Sequence, residues 1–371
     1  MGKSYPLLRF LLGFTPRPAA DPSQRDFARI LAISTTAVGD TLLSTPCFSA
    51  LRRINPRARV VAFIRDRYAP MFRTNPDIDG IIPYRRGWAG FLQNLRAIKT
   101  ENFDAAFVFH VSDPGPVGLA ALAGIPFIAG KSLHPPFEPL FTLRTYPDYS
   151  RHTIARRLAI LQRMYPAVTD WPARLVLPLK KEATDRAREK IDAMWGGAGH
   201  RGPVVGFQPG ASRPYKMWPR ERFVDLAHRL LATVSDLHIL VLGDKSEAAL
   251  GEAIADGVEA PGRIVSLCGK TRIAELPAVI SGLDFLVTND TGSLHIAIAV
   301  GTPTLSLFAA TDPCSSGPYQ DQDRHIVIAK PKPCGGACVH KKCPLKPSCM
   351  TQITVAEVYQ RSVEMLPRKD P

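Results

Sequence analysis

Short apolar runs recur along the chain, and between them apolar residues return every three or four positions. This is the alternation of buried strands and amphipathic helices that builds parallel α/β sheets. The second half shows it most clearly. Phe285 to Thr288 is an apolar run that breaks into Asn289-Asp290-Thr291-Gly292-Ser293. A helical pattern follows through Leu294, Ile296 and Ile298 until Gly301-Thr302-Pro303 stops it, and a second apolar run begins at Thr304. The stretch reads as strand, turn, helix, strand. Asp290, Thr291 and Ser293 are good N-caps and Gly292 lets a ligand approach the backbone, so this helix start suits a phosphate, or is an ordinary capped turn.

The first half repeats the rhythm. Ile30 to Ser34 predicts a strand and Thr35 to Thr41 a turn. A helix through Leu42, Leu43, Cys47, Leu51 and Ile54 comes next, then a second strand from Arg59 to Ile64. Ile81-Ile82, a helix over Phe91 to Lys99, a strand from Ala105 to Phe109 and a helix from Gly118 to Ala123 continue the series. Pro135 to Tyr149 reads as loop, and His152 to Met164 as a helix carrying Arg156, Arg157 and Arg163 on its polar positions after Arg151. Beyond a helix from Glu182 to Met194, strands are predicted at Val204 to Phe207, His238 to Leu242 and Ile264 to Leu267. Helices are predicted at Phe223 to Ala232, Glu247 to Ala255 and Ile273 to Ser281. The expectation is an α/β protein with two doubly wound, Rossmann-like domains in series. Residues 25–170 make the first and 186–353 the second. A proline-bearing linker covers 171–185, a basic apolar extension 1–24, and a C-terminal helix 354–371, opened by the capping box Thr354-Val355-Ala356-Glu357.

Composition narrows this picture. At 371 residues with 45% hydrophobic side chains the chain is long enough for two cores, and no apolar run reaches the ~18 residues that span a bilayer. Without an export signal in the sequence, a cytoplasmic protein is expected. The net charge of +14 is uneven: Met1 to Asp170 carries 22 Lys and Arg against 12 Asp and Glu, and the remainder 25 against 21. The first half therefore suits an anionic partner, a lipid surface or a phosphorylated molecule, or is a basic solvated face. Its arginines lack the aromatic interleaving of nucleic-acid modules, which argues against nucleic acid. The 1–24 piece reads as an interfacial segment, a tail, or a helix packed on the domain.

In open α/β sheets ligands sit at the carboxyl ends of strands, so chemistry is sought in the loops after Ser34, Phe207, Leu242 and Thr288. Those loops carry Asp40; Ser212, Arg213 and Lys216; Glu247; and Asp290, Thr291 and Gly292. The first turn has a single glycine and lacks the G-x-G-x-x-G dinucleotide fingerprint. A lysine beside a helix start neutralises a pyrophosphate leaving group, and a carboxylate takes the proton of an attacking hydroxyl. Taken singly, Asp40 is also a helix cap, Lys216 a solvated loop lysine and Glu247 a first-turn acid. Four cysteines, Cys334, Cys338, Cys343 and Cys349, crowd into 16 residues with His340 among them, either a structural zinc set or a group of thiols. Cys47, Cys268 and Cys314 read as isolated core or loop thiols.

Together, Val38-Gly39-Asp40, Pro209-Gly210-Ala211-Ser212 with Lys216 and Trp218-Pro219, Asn289-Asp290-Thr291-Gly292 with His295, and Thr311-Asp312-Pro313 make the chain recognisable. From about Arg29 to the C-terminal helix it resembles glycosyltransferase family 9, the ADP-heptose:lipopolysaccharide heptosyltransferases. The resemblance implies a GT-B fold with two Rossmann-like domains facing a central cleft. It also implies metal-independent, inverting transfer, with no cofactor required for catalysis. It casts Asp40 as general base and Lys216 as the contact to the donor's phosphates and sugar. Ser212 and Arg213 fall in the phosphate loop, Glu247 on the ribose hydroxyls and Asp290 on the sugar. Thr291 and Gly292 offer N–H groups to the pyrophosphate, while His295 orients that loop or is a core histidine. Asp113 is the next candidate base. The implied partners are a nucleotide sugar, a lipid-anchored oligosaccharide acceptor and the anionic inner face of the cytoplasmic membrane, where the protein would be peripheral. The alternatives are a relative using another sugar or acceptor, and a non-catalytic nucleotide-sugar-binding protein.

Overall fold

The computed structural model describes residues 26–110, 113–131, 135–195, 202–260, 262–332, 334 and 348–367. The 1–24 extension therefore lies outside the described residues, as do Cys338, His340 and Cys343. The chain divides into two compact units, Met1–Val176 and Leu177–Pro371.

The first unit holds one parallel sheet of β1 (Arg29–Ser34), β2 (Arg59–Arg65), β3 (Gly80–Tyr84), β4 (Ala105–Val108), β5 (Phe127–Lys131) and β6 (Leu143–Thr145), in the order β3-β2-β1-β4-β5-β6. The central strand is buried from Ile30 to Ser34, and Leu31 sits in register between Val61 and Ala106. Such unbroken apolar runs are what a parallel sheet covered on both faces requires. Its core gathers Ile33, Phe63, Val108, Ile128 and Phe141. The second unit repeats the plan with β7 (Val204–Gln208), β8 (His238–Val241), β9 (Ile264–Ser266), β10 (Phe285–Asn289), β11 (Thr304–Phe308) and β12 (His325–Ala329), ordered β12-β11-β10-β7-β8-β9. In both units the order reverses between the first and fourth strands, β1/β4 and β7/β10. These are the switch points where loops diverge and leave a crevice.

Several elements differ from the sequence expectation. The helix expected to run unbroken to Ile54 is two, Val38–Leu42 and Thr45–Ile54. Pro46, lacking an N–H, opens the second helix and cannot continue the first. Pro135 to Tyr149 is not all loop: it contains a 3-10 turn, Pro135–Leu140, and the edge strand β6. Lys181 to Asp185, expected within a linker, are the first turns of the helix Lys181–Ala193. Arg157 is not on a polar face. It points inward from the helix Thr153–Met164 and is 3% exposed.

Candidate active site

In the first unit, chemistry collects at the carboxyl edge of the sheet around the β1/β4 switch point. Asp40 lies in the first turn of Val38–Leu42, whose N-cap is Ala37, so the reading of Asp40 as a cap is overturned. Its carboxylate instead accepts from Arg157 at 2.9 Å through Oδ1 and from the Thr36 hydroxyl at 3.1 Å through Oδ2. The Arg157 guanidinium also donates to the Asp40 carbonyl and, at 2.7 Å, to Ser44 Oγ, which meets Ser34 Oγ at 3.0 Å. A planar fork of donors held this way fixes a carboxylate in orientation as well as charge. Burial works to raise the Asp40 pKa, but Arg157, the Thr36 hydroxyl and the nearby His110 outweigh it and hold the carboxyl below its usual range.

His110, just past β4, is buried and meets Thr35 Oγ1 through Nε2 at 2.9 Å. Burial drives its pKa down to about 4, so it is neutral at physiological pH. Lys131, the last residue of β5, is buried too; desolvation and the neighbouring Arg157 and Arg156 cations lower its pKa to about 8. Asp113 is engaged by the Tyr84 hydroxyl at 3.0 Å and the Gly115 amide at 3.0 Å. Cys47 is a core thiol, pushed up to about 12 mainly by burial.

The remaining candidates all lie in the second unit. Gln208 and Asn289 end the adjacent strands β7 and β10, and their amides lace the loops together. Asn289 donates to the Pro209 carbonyl at 2.7 Å and accepts from the Trp218 amide at 3.1 Å. Trp218 is fully buried, its indole donating to the Ile353 carbonyl at 2.9 Å. This stitching holds the loop after β7 so that Lys216 Nζ sits 2.7 Å from Asp290 Oδ2, with the Asp290 residue 8% exposed. Ser212 is exposed and Arg213 half-buried in the same loop.

Thr291 is the observed N-cap of the helix Gly292–Val300, its hydroxyl accepting from the Ser293 amide at 3.2 Å. Ser293 turns its hydroxyl to Gln208 at 2.8 Å, so neither it nor Asp290 is the cap. His295 is buried in that helix. Gln208 also donates to Glu247 at 3.3 Å. Glu247 closes a capping box with Asp244; burial, with the Asp244 charge alongside, raises its pKa despite the Asp244 amide bond. Gly210 passes directly over this carboxylate, for a Cβ there would stand 1.7 Å from Glu247 Oε1.

Arg157, Lys131 and His110 in the first unit, and Gln208 and Asn289 in the second, thus join the candidates of their own unit without having been given a role from the sequence. Of the cysteine cluster, Cys334 is half-buried and Cys349 buried. Among the described residues no group of three or more His, Cys, Asp or Glu is arranged to hold a metal ion.

Residues 96–348 match the model of glycosyltransferase family 9 (heptosyltransferase). Lipopolysaccharide heptosyltransferase 3 of Escherichia coli (strain K12) is 27% identical over 286 residues, which is 74% of this chain and 80% of the relative. The family 9 glycosyl transferase from Veillonella parvula DSM 2008 has a TM-score of 0.80 at 23% identity, covering 92% of this chain and 98% of that one. The Escherichia coli heptosyltransferase WaaC, solved with ADP, has a TM-score of 0.66 at 20% identity, covering 91% and 99%. These likenesses fix the fold as the α/β GT-B architecture that the motifs imply.

Proposed function

Because the chain belongs to glycosyltransferase family 9, the heptosyltransferase family, we propose that it transfers a heptose from an ADP-heptose-type donor to a lipid-linked lipopolysaccharide core acceptor, with inversion and without metal in the chemical step. The observation that carries this reading is the Lys216–Asp290 pair, 2.7 Å apart, beside the helix start at Gly292. An ammonium next to unpaired helical N–H groups is suited to a pyrophosphate, on which charge develops as the sugar leaves. The ADP bound by WaaC and the lipopolysaccharide named for the Escherichia coli relative support the donor and acceptor assignments.

In the proposed reaction the acceptor hydroxyl attacks the anomeric carbon as the bond from that carbon to the β-phosphate oxygen breaks, and ADP leaves with both electrons. Asp40 takes the hydroxyl proton. Its lowered pKa keeps it ionised at neutral pH, and Arg157 and Thr36 keep one orientation ready. Lys216, Ser212, Arg213 and the Thr291 and Gly292 amides meet the phosphates. Glu247 takes the ribose hydroxyls, Asp290 the sugar, and His295 supports the loop from within the helix. The protein would work on the cytoplasmic face of the membrane that carries its acceptor.

Asp40→Asn tests the assignment. The amide keeps the size and can still accept from Arg157, so folding should persist while turnover falls by about 10² to 10⁴, the usual contribution of a general base. ADP affinity should stay within a few fold. Turnover near the wild-type rate would remove Asp40 as base and pass the role to Asp113.

A further inference from the structure

Among the described residues, four of the six exposed large apolar side chains belong to the first unit, and two of them, Trp88 at 66% and Leu92 at 52%, stand one helical turn apart on Gly87–Glu101. The inner face of this helix, with Phe91, packs against the core, so Trp88 and Leu92 are not the edge of a loose segment. Their presentation is built in. Asn94, buried at 1%, accepts from the Arg85 amide at 3.1 Å and donates to the Arg85 carbonyl at 2.8 Å, pinning the turn ahead of the helix. Gly90 lets that turn close, since a Cβ there would lie 2.6 Å from the Arg85 carbonyl oxygen. Trp88 then stacks flat on Phe91, 5.6 Å between ring centroids and 10° between planes, with its other face in water.

Charge says what covers this face. Arg85, Arg86 and Arg96 are exposed around it, and no acidic residue occurs between positions 85 and 100. Among the described residues none of the three arginines has a carboxylate partner. An aromatic and an aliphatic side chain ringed by unpaired guanidinium groups match the headgroup layer of an anionic bilayer. The location fits as well. The helix follows the carboxyl end of β3, and Tyr84, the last residue of β3, bonds Asp113 on the same edge of the sheet that carries Asp40 and His110.

We propose that the first turns of helix Gly87–Glu101 are a membrane anchor, with Trp88 and Leu92 entering the headgroup layer of an anionic lipid surface and Arg85, Arg86 and Arg96 meeting its phosphates. The purpose of the anchor rests on the lipid-linked acceptor proposed above; its existence is tested apart from it. Full-length protein is sedimented with vesicles of phosphatidylglycerol and phosphatidylethanolamine, and with vesicles of phosphatidylcholine alone.

Wild type should prefer the anionic vesicles, with a loss on adding salt and a blue shift of tryptophan emission. Arg85→Gln with Arg86→Gln should weaken anionic binding by about 25-fold, at roughly fivefold per basic residue. Trp88→Ala with Leu92→Ser should weaken it by about tenfold or more and abolish most of the blue shift, with an unchanged melting temperature. Equal wild-type binding to both vesicle types overturns the proposal. So does a Trp88→Ala/Leu92→Ser variant that binds like wild type, for then the 1–24 segment carries the contact. The same variants are assayed for heptose transfer to a deacylated core acceptor and to that acceptor anchored in vesicles. Transfer lost only in vesicles supports the anchor. A wild type that transfers to neither overturns the proposed activity, while sedimentation still decides the anchor.

Discussion

Replacing Arg157 by methionine removes the guanidinium that holds Asp40 while keeping much of the side chain's length. In the native protein this group is 3% exposed and serves Asp40 Oδ1 at 2.9 Å, the Asp40 carbonyl, and Ser44 Oγ at 2.7 Å. Removing one partner of a fully buried pair costs about 3–5 kcal/mol. Here the Asp40 side chain is 42% exposed and keeps Thr36, with the Lys131 cation nearby. Solvent screening and those groups reduce the expected loss to about 2–3 kcal/mol. For a unit of this size, Met1–Val176, each kcal/mol moves Tm by about 2–4 °C, so the first unit should melt about 4–12 °C lower.

The dependence on pH has a definite sign. The Asp40 carboxyl is depressed in the folded state. The stability it contributes is therefore present above the unfolded-state pKa of about 3.9 and lost as pH falls through the lower folded value. The gap between wild type and Arg157→Met should be full at pH 7 and narrow below about pH 4, the bonds to Ser44 and the Asp40 carbonyl accounting for what remains. Arg157→Lys keeps the charge without the fork and should fall between the two. Differential scanning calorimetry at pH 7 and pH 3.5 reads this directly. A first-unit Tm within about 1 °C of wild type at pH 7 would refute the coupling, as would a gap that widens in acid.

Lys216→Ala should weaken ADP binding about tenfold to hundredfold by titration calorimetry, the loss expected for a hydrogen bond to a charged group; an unchanged Kd would place the nucleotide elsewhere. Gly210→Ala sets a methyl 1.7 Å from Glu247 Oε1 and should cost about 1–3 kcal/mol of stability together with ADP affinity. Wild-type values for both would show that the loop has room to move. His110 and His325 are buried with pKa values pushed down to about 4 by burial. Their unfolded forms take up protons first, so stability should fall as pH drops from about 6.5 to 5, by up to about 2 kcal/mol per histidine. Urea unfolding at pH 7 and pH 5 measures this, and an undiminished slope in His110→Asn and His325→Asn would disprove the assignment.

Most of the strands are announced by apolar runs, because a parallel strand covered on both faces must be apolar throughout. The buried strand β5, where Gly130 and Lys131 cut the apolar run to Phe127-Ile128-Ala129, and the edge strands β6 and β12 escaped notice. Leu143–Thr145 is three residues long and Arg144 interrupts it. His325–Ala329 is partly exposed, so its pattern is weak. Arg157 was legible in principle. Ile154, Arg157, Leu158 and Leu161 share one helical face by their spacing of three, four and seven, and an arginine on an otherwise apolar face is a buried charge seeking a partner. Lys131 gave no such warning, since β5 itself was not expected and a lysine following Gly130 looks like a solvated turn residue. Asp40 was found for its place after the first strand, but its cap role did not survive. The expected caps that did, Thr291 and Thr354, are those whose side-chain oxygen faces an open helix N–H.

The two sheets share one topology, yet their switch points differ in chemistry. In the first unit the crevice holds an ionised carboxylate, a histidine kept neutral by burial, and two buried cations, Arg157 and Lys131. In the second the strand ends carry uncharged amides, Gln208 and Asn289, spent on carbonyls, a hydroxyl, the Trp218 N–H and the Glu247 carboxylate of neighbouring loops. Amides can stitch backbone without adding charge, which leaves the Gly292 helix start and the Lys216–Asp290 pair beside it to set the local field. A fork orients a carboxylate toward an incoming proton while lowering its basicity, and a stitched cradle holds helix N–H groups and a lysine in place for phosphate. The proposed division of labour therefore follows from the side chains that end β1, β4, β7 and β10 or immediately follow them. Exchanging the types tests it: Gln208→Glu would set a second carboxylate beside Glu247, and ADP affinity should fall through like-charge repulsion, while Gln208→Met should cost stability more than charge-dependent binding.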